Sequence, residues 1–551
     1  MEDASHNAAP APPVPGPAGP AAAQGPVRMG RALWISAATM ASRVLGLVRD
    51  QLFAALVGAN AFSDAFIAAF RIPNLLRDLF AEGALSAAFV PTFADYQRNR
   101  GSGEAFRLGN LVLGLILVVV GTLTLLGVVF APQVVAAIAP GFVEQQRALT
   151  VGLTRIMMPF LLLVSLAAAV MGMLNAQSRF TAPALAPALF NVGSIAVGLG
   201  LWAAGLGPER AVVGWSIGTL LGGLLQLLAQ VPSLRATGFR FHPRLGGALA
   251  EPGIRRIGLL MGAAVIGLSA TQVNILVNTI FASHQRGAVS WLNFAFRLMQ
   301  FPLGVFGVAI ATVAGAGVAQ RAAARDMGAV KETLGSAMRL VAFLNVPSAV
   351  GLIVLAEPII GLIYQHGRFG PSDTAATAEA LRFYAIGLYF YSGVKVFAPA
   401  FYALDQARVP VVGSFLGMAS NVTLNLALYP VLGYRGVALG TSLAAFANFA
   451  VLAVAWRRRH GGLGGAGIYR HLARVLAATA VLALVAWGTA RGLGQVLPAR
   501  GLPRQLAHAL VPILVGALAY FAAARALGLR ELDDVLRVLR RRGGARPSAR
   551  S

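Results

Sequence analysis

Cysteine is absent from the 551-residue sequence, and charged residues are scarce. Without cysteine the chain has no disulfide, no zinc–thiolate site and no thiol nucleophile. Charged residues make up 12% of the chain, whereas about 25% is usual for soluble domains. Hydrophobic residues make up 57%, and the mean hydropathy is +0.70. These proportions exclude an ordinary soluble protein and indicate a membrane protein.

Uninterrupted apolar runs recur along the whole chain. A helix needs about 20 apolar residues to cross a bilayer, and the runs reach that length. They also lack the alternation of apolar and polar residues that membrane strands require. We therefore predict an all-α polytopic membrane protein with about fourteen transmembrane helices. The predicted segments are 32–58, 62–97, 108–131, 147–174, 183–205, 211–231, 254–281, 287–319, 333–356, 376–403, 409–431, 435–456, 470–489 and 504–524.

The net charge of +25 has two readings. A basic soluble protein would point to nucleic acid, but cationic loops of a membrane protein lie on the cytoplasmic side and against anionic headgroups. Here the arginines concentrate in every second loop, which favours the second reading and predicts an even number of spans with both termini cytoplasmic. Residues 1–31 are rich in Pro, Ala and Gly and predict a disordered cytoplasmic tail, and 525–551 form a basic cytoplasmic tail.

A weak internal repeat relates the two halves of the chain. Phe70-Arg71 in segment two corresponds to Phe296-Arg297 in segment eight, and Gly218-Thr219 to Gly440-Thr441, at offsets of about 220–230 residues. Internal repeats of this kind are typical of transporters with a central site. We expect two six-helix lobes, followed by two additional helices. The predicted limits are 32–231 and 254–456 for the lobes and 470–524 for the added pair.

The first two predicted segments carry an unusual number of charges for apolar helices. A charge at the centre of a membrane helix costs roughly 2.5–3.5 kcal/mol on insertion scales, so such residues face the protein interior or a watery cavity. They either pair with one another or bind an anionic cargo. Arg297 and Lys395 lie in later segments with no acid nearby in the sequence, which favours cargo. The charged residues of the first two segments are Arg43, Arg49, Asp50, Asp64, Arg71, Arg77, Asp78 and Glu82.

Arginine in a water-poor cavity is suited to binding phosphate, because the guanidinium group matches two phosphate oxygens. A ring of Arg43, Arg49, Arg77 and Arg297 would suit a diphosphate, with Asp50 and Glu82 as supports or switches. Catalysis is poorly supported, since the sequence has no paired carboxylates in a loop, no metal-ligand spacing and no nucleophile motif. We predict no enzyme activity, no cofactor and no metal.

Five stretches of the chain resemble a known family. They are SRVLGLVRD, SDAFIAAFRIPNLLRDLFAEGALSAAFVP, FRLMQFPLGVFGVAI, IYQHGRFG and VKVFAPAFYALDQARVPV. They resemble the MurJ (MviN) lipid II flippases of the multidrug/oligosaccharidyl-lipid/polysaccharide exporter superfamily, and the resemblance covers roughly 32–524. It implies fourteen helices in two lobes around an inward-facing cationic cavity. It also implies transport of lipid II, an undecaprenyl-diphosphate disaccharide-pentapeptide, to the outer leaflet of the bacterial cytoplasmic (inner) membrane for peptidoglycan synthesis.

The resemblance also implies roles for single residues. Arg43, Arg49, Arg77 and Arg297 match the family's cavity arginines, Asp64 and Glu82 match acids of its segment-two motif, and Lys395 matches its segment-ten lysine. Segments thirteen and fourteen would form a groove for the polyprenyl tail.

The chain also departs from the family pattern. Phe296 stands where some members have an acid. Some members bind sodium through acids, but the corresponding region here has Asn278, Asn421, Asn425 and Thr441, so no metal is assigned.

Three other functions remain compatible with the sequence. The chain could export another lipid-linked oligosaccharide or drugs with the same fold, act as a membrane-embedded enzyme on the same lipid, or serve as a scaffold in the division machinery. An arginine-rich cavity suits anions better than cationic drugs. The expected partners are lipid II and membrane lipids, with the cell-wall synthesis machinery as a further candidate and no nucleic acid.

Overall fold

A computed structural model of the chain describes residues 29–463, 466–496 and 501–533. All regular structure in these ranges is helical, which confirms the predicted all-α class. Two π-helical stretches, Arg77–Leu85 and Leu303–Val308, and a short 3₁₀ helix, Ala248–Ala250, interrupt or connect the α-helices. The α-helices are α1 Met29–Val57, α2 Ala61–Leu76, α3 Ser86–Asn99, α4 Gly101–Val129, α5 Ala131–Ile138, α6 Glu144–Met157, α7 Pro159–Ala176, α8 Thr181–Ala203, α9 Pro208–Leu228, α10 Val231–Arg235, α11 Pro252–Ala282, α12 Ala288–Pro302, α13 Ala309–Ala323, α14 Met327–Val354, α15 Ala356–Tyr364, α16 Pro371–Ala385, α17 Leu388–Ala403, α18 Arg408–Leu432, α19 Tyr434–His460, α20 Ala466–Val496 and α21 Leu502–Ala526.

Each of the fourteen predicted segments overlaps a helix or a run of helices. Within the described ranges, ten helical stretches are long and apolar enough to cross a membrane. Predicted segments one, two, seven and ten are also helical but are not among these ten. The polytopic membrane architecture is therefore confirmed, whereas the number of fourteen crossings stays a prediction.

The second and eighth predicted segments share an interrupted helical geometry. In the second, α2 continues through the π-helical stretch from Arg77 into α3, and in the eighth, α12 continues through the stretch from Leu303 into α13. A proline precedes each stretch, Pro73 in α2 and Pro302 in α12. Proline removes a backbone donor and disturbs the regular helical ladder, which favours a local change of helix type. The first residues of the two π-helical stretches, Arg77 and Leu303, are as far apart in the sequence as Arg71 and Arg297 are.

The tenth predicted segment is divided into α16 and α17 near Gly387. Ser442 of α19 lies against this break, with its Oγ 2.7 Å from the Phe383 carbonyl oxygen and 3.1 Å from that of Tyr384. A hydroxyl can thus satisfy carbonyl groups that an unbroken helix would have paired, which makes a break tolerable in an apolar environment. Gly387 permits the close approach, since a Cβ there would lie 2.8 Å from Ser442 Oγ.

Helix packing is similar in the two halves of the chain. In the first half α1, α8 and α9 pack together, and in the second half α11, α18 and α19 do so. The last two helices, α20 and α21, pack on each other and against α14 and α15. There Tyr520 donates a hydrogen bond of 2.7 Å to the Phe343 carbonyl, and Leu529 and Leu532 after α21 are buried in the same cluster. The beginning of the predicted basic tail thus packs onto the helices, and residues 534–551 lie outside the described ranges.

The two halves of the chain are in contact at the end of the bundle where α1 finishes, and two of these contacts involve the predicted motifs. One is between α2 and α12 and is described with the site below. In the other, the Arg368 amide, in the loop before α16, donates a 2.9 Å hydrogen bond to the Ala55 carbonyl of α1. Gly367, at φ +57°, leaves no room for a side chain beside the same carbonyl. The motif IYQHGRFG therefore packs against the end of the first helix.

Candidate functional site

The Asp50 carboxylate is the centre of a charged cluster between α1 and α12. Arg49 Nη2 lies 2.9 Å from Asp50 Oδ1, and Arg297 Nε of α12 lies 2.7 Å from Asp50 Oδ2. Asp50 is 9% exposed, whereas the Arg297 side chain is 49% exposed. Arg297 has no acid beside it in the sequence, and the fold supplies one from the first helix. One carboxylate thus holds two guanidinium groups from two segments, while Arg297 keeps part of its surface accessible.

Arg77 extends this cluster from the first π-helical stretch. Its Nη2 lies 2.8 Å from Asp78 Oδ1, so the neighbouring acid in the sequence is also its partner in space. Arg77 and Arg297 both lie near enough to Arg49 to repel it electrostatically. Guanidinium groups of three segments are therefore concentrated in one region, and their repulsion favours an anion between them.

Arg43 is exposed and lies to one side of this cluster. A Cβ atom at Gly304 would be 3.2 Å from Arg43 Nη1, so the side chain reaches the π-helical stretch that follows Arg297. Arg49 lies over the Phe190 ring of α8, with its Cζ 5.3 Å from the ring centroid. The structure thus brings Arg49, Arg77 and Arg297 together and places Arg43 beside the continuation of the Arg297 segment.

Asp64 is buried in a different place, at the beginning of α12. Its carboxylate accepts hydrogen bonds from the Gly287 amide at 2.6 Å and from the Ser290 amide and hydroxyl at 2.8 and 2.6 Å. Ser63 Oγ lies 2.8 Å from Ser290 Oγ. An acid that accepts from the free amides of a helix start satisfies them and complements the helix dipole. Asp64 therefore fastens α2 to the start of α12.

The remaining two predicted residues are not part of the described cluster. Glu82 lies in the first π-helical stretch, and its side chain is outside the described part of the structure. Lys395 of α17 is exposed, and no described carboxylate lies within ion-pair distance of it.

A separate cavity of about 220 Å³, lined by both polar and apolar side chains, lies in the second half of the chain. It is lined by residues of α11, α12 and α16 to α19, together with Arg71 of α2. Beside it, Asn278 donates a 2.9 Å hydrogen bond to Thr441 Oγ1, and Asn425 donates one of 2.9 Å to Asn278 Oδ1. Arg71 was visible in the sequence as a charge in an apolar helix, but its cavity was not predicted.

This cavity does not fit the sodium site that some members of the resembling family have. Its described lining contains amides and hydroxyls but no carboxylate, and the cationic Arg71 lies within it. Sodium prefers oxygen ligands with negative charge to balance it, and the Asn278 oxygen already accepts a hydrogen bond from Asn425. The described residues also contain no cluster of His, Asp or Glu able to hold a metal ion. We therefore assign no metal to this region.

The family model described as Lipid II flippase MurJ matches residues 53–495, most of the chain. The chain belongs to the MurJ lipid II flippase family. The resemblance identified from the five motifs is thereby confirmed. A flippase moves a lipid between leaflets without changing it chemically, so the MurJ family is one of transporters and not of enzymes.

Individual relatives agree with this family. A protein of Vibrio cholerae described as a probable lipid II flippase MurJ is 36% identical over 453 residues, covering 80% of this chain and 83% of the relative. A solved structure described as lipid II flippase MurJ in an inward closed conformation has a TM-score of 0.75 at 25% identity, covering 91% of this chain and 99% of that chain.

A more distant structural relative shows the wider fold. An inward-facing multidrug resistance MATE family transporter of the MOP superfamily has a TM-score of 0.64 at 16% identity, covering 79% of this chain and 99% of that one. At this identity the likeness concerns the fold alone.

Proposed function

We propose that this chain is a lipid II flippase, which moves the undecaprenyl-diphosphate-linked peptidoglycan precursor from the inner to the outer leaflet of the bacterial cytoplasmic membrane by alternating access. The observation that carries this proposal is the convergence of Arg49 and Arg297 on Asp50, with Arg77 and its partner Asp78 within electrostatic reach of Arg49. Family membership and the motifs support it. Lipid II and the surrounding membrane lipids are then the partners, and contact with the cell-wall synthesis machinery is a further expectation.

The charge balance of the cluster supports a diphosphate as the group that is bound. Among the described side chains, Asp50 and Asp78 neutralise part of the charge of the four arginines and leave an excess of positive charge. A diphosphate that is esterified at both ends keeps one ionised oxygen on each phosphorus. In our proposal Arg43, Arg49, Arg77 and Arg297 bind these oxygens, while Asp50 and Glu82 support the arginines or release them. Lys395 and Asp64 have supporting roles.

The proposed architecture has fourteen membrane helices in two lobes, 32–231 and 254–456, with both termini cytoplasmic. The similar packing of α1, α8 and α9 and of α11, α18 and α19 supports the lobes, and so do the paired π-helical stretches. The helices of 470–524 expose apolar side chains, including Leu484 and Leu518, which suits a groove for a polyprenyl tail. Tail residues 1–28 and 534–551 lie outside the described ranges.

The contacts at the end of α1 fit a stage of the cycle that is closed on the outer side. With the N-terminus inside, the end of α1 lies at the outer surface. There Asp64 fastens α2 to α12, and the Arg368 amide binds Ala55, so the halves are joined on the outer side. The diphosphate would dock on the arginines from the cytoplasmic side while its tail stays in lipid. Membrane potential is a plausible drive, because moving one charge across 100 mV is worth about 2.3 kcal/mol.

Reconstituted flipping with arginine variants tests this function. We expect Arg49→Gln and Arg297→Gln each to slow lipid II transfer across vesicle membranes by about tenfold or more, since a hydrogen bond to a charged group contributes about 1.5–3 kcal/mol. Arg155→Gln is the matched control, because Arg155 is exposed at the end of α6 and, among the described residues, its side chain bonds to the Val128 carbonyl alone. Full lipid II transfer by both Arg49→Gln and Arg297→Gln at equal protein abundance would contradict the proposal.

Export of another lipid-linked oligosaccharide remains the second candidate, because the arginine cluster recognises the diphosphate and not the sugar. Competition between lipid II and lipids with other headgroups, in the same vesicles, separates the two candidates. A cationic drug is disfavoured by the excess positive charge of the cluster.

A further inference from the structure

Arg71 is the cationic residue of the cavity in the second half of the chain. It comes from α2, but it lies among residues of α11, α12 and α16 to α19. Its Nε atom is buried and has no hydrogen-bond partner. No described carboxylate lies within ion-pair distance, in contrast to Arg49, Arg77 and Arg297. A buried guanidinium donor without an acceptor is costly, which indicates that an anionic group completes it at some stage.

Two hydrogen-bond acceptors in the lining of the same cavity also lack a donor. Asn274 Oδ1 of α11 and Asn448 Oδ1 of α19 are buried without a hydrogen-bond partner, and both residues line the cavity. The adjoining amide nitrogens of Asn278, Asn421 and Asn425 bond to one another or to Thr441, and the Asn425 oxygen, outside the lining, is also buried without a partner. The buried groups of the described lining that lack a partner are thus one charged donor and two neutral acceptors. A carboxylate that is accompanied by N–H groups, as in a peptide, complements this set.

The size and place of the cavity restrict what it can bind. Its volume of about 220 Å³ is below the range of about 300–1,000 Å³ that is usual for small-molecule sites, which suits a fragment of a large headgroup. Arg71 lies within electrostatic reach of Arg297. The cavity therefore adjoins the arginine cluster, and one cargo molecule can reach both.

We propose that this cavity binds a carboxylate-bearing part of the cargo's peptide, with Arg71 on the carboxylate and Asn274 and Asn448 accepting from peptide N–H groups. This inference rests on the proposed function and deepens it, since it assigns the peptide portion of the headgroup to a second subsite. The other anion within reach of Arg71 is the diphosphate itself. A binding measurement distinguishes the two anions, because removal of the peptide removes its carboxylate and leaves the diphosphate.

The main comparison uses two lipids and five forms of the full-length protein in lipid nanodiscs. The lipids are lipid II with its intact peptide and the undecaprenyl-diphosphate-linked disaccharide without peptide. The proteins are the unaltered chain, Arg71→Gln, Arg71→Lys and Arg49→Gln, with Arg155→Gln as the control for an arginine outside both sites. Affinity for each lipid is measured at equal fractions of folded protein.

We expect the unaltered chain to bind the intact lipid about tenfold or more tightly than the peptide-free lipid, the size of one charge-assisted hydrogen bond. Arg71→Gln should lose this preference while its affinity for the peptide-free lipid stays unchanged, and Arg71→Lys should recover part of the preference. Arg49→Gln should weaken both lipids equally. Lipid II with its peptide carboxylates amidated should behave as the peptide-free lipid does.

Three results would overturn the inference. Equal binding of the two lipids by the unaltered chain would remove the peptide subsite and leave diphosphate recognition intact. If Arg71→Gln lowered the affinity for both lipids equally, Arg71 would be a ligand of the diphosphate and not of the peptide. If the unaltered chain bound neither lipid, the proposed function would fail and the inference with it.

Discussion

At the scale of the residue, Asp50 has the most connected position in the arginine cluster. Because it holds Arg49 and Arg297 from two different segments, its loss lets two guanidinium groups repel each other and separate. We expect Asp50→Asn to slow flipping by about tenfold, since a hydrogen bond to a charged group contributes about 1.5–3 kcal/mol. Transfer of labelled lipid II in vesicles, at matched protein abundance, measures the effect.

The control for this change is Glu104→Gln. Glu104 forms an exposed ion pair with Arg107 of the same helix, α4, at 3.6 Å, and exposed pairs contribute little. We expect unaltered flipping from this variant. A rate for Asp50→Asn that matches the control would show that the carboxylate does not position the arginines.

The sequence predicted the arginines of the cluster and the acids beside Arg49 and Arg77, but not the pairing of Arg297 with Asp50. A charge in an apolar helix is costly, so Arg43, Arg49 and Arg297 stand out without any structure. The acid that pairs with Arg297 lies on another segment, and no spacing rule relates the two. The unpaired amide oxygens of Asn274 and Asn448 near Arg71 could not be predicted either. An asparagine in a helix looks the same in the sequence whether or not its oxygen accepts a hydrogen bond.

At the scale of the element, the start of α12 depends on Asp64. Asp64→Ala would leave the Gly287 and Ser290 amides without their acceptor in a buried place. We expect a loss of about 1–3 kcal/mol in stability, measured as a lower melting temperature in detergent. Asp64→Asn keeps one oxygen acceptor and should lose less. Melting of Asp64→Ala at the unaltered temperature would refute this account of α12.

The break between α16 and α17 offers a second test at this scale. Gly387→Ala would place a Cβ 2.8 Å from Ser442 Oγ, and overpacking of this kind costs about 1–3 kcal/mol. Gly351→Ala in α14 is the matched control, because a Cβ there meets nothing within 4 Å. We expect the first variant to melt lower than the unaltered protein and the second to melt at the same temperature or higher. Equal melting of the two variants would contradict the close approach.

Hydropathy predicted where helices lie but not how they are interrupted. The apolar run of segment ten continues through Gly387, so composition gives no sign of a break that Ser442 compensates. The π-helical stretches are equally hidden, since they depend on which backbone groups pair and not on residue type. The prolines before them were visible, but proline alone does not distinguish a kink, a break and a π turn.

At the scale of the whole molecule, the end of the bundle at which α2 meets the start of α12 can be locked. The absence of native cysteine means that a pair introduced as Ser63→Cys and Ser290→Cys is the sole thiol pair in the chain. The two serine oxygens are 2.8 Å apart, which places the residues near enough for a disulfide. We expect oxidation to stop flipping and reduction to restore it, as measured in vesicles.

Each single cysteine variant serves as the control for the lock. Oxidation should leave both single variants as active as before, since neither can form the bridge. Unchanged flipping by the oxidised double variant, with the bridge verified by mass spectrometry, would show that the halves do not separate at this end during transport.

Most of the global architecture was accessible from the sequence, because membrane helices must be long and apolar and the family motifs are specific. The all-α class and the family are confirmed, while the fourteen crossings and the two lobes stay predictions. Predicted segments one and two carry the charges of the site, so hydropathy is least decisive where function is concentrated.

The π-helical stretches in the second and eighth predicted segments have a mechanical consequence. Such a stretch contains an extra residue relative to the α-helical ladder, and moving it along the chain by re-pairing backbone groups turns the residues that it passes by about 100° about the helix axis. Arg77 lies at the start of one stretch, and Arg297 lies six residues before the other. A shift of either stretch past its arginine would therefore turn that side chain about the helix axis while both ends of the helix stay in place.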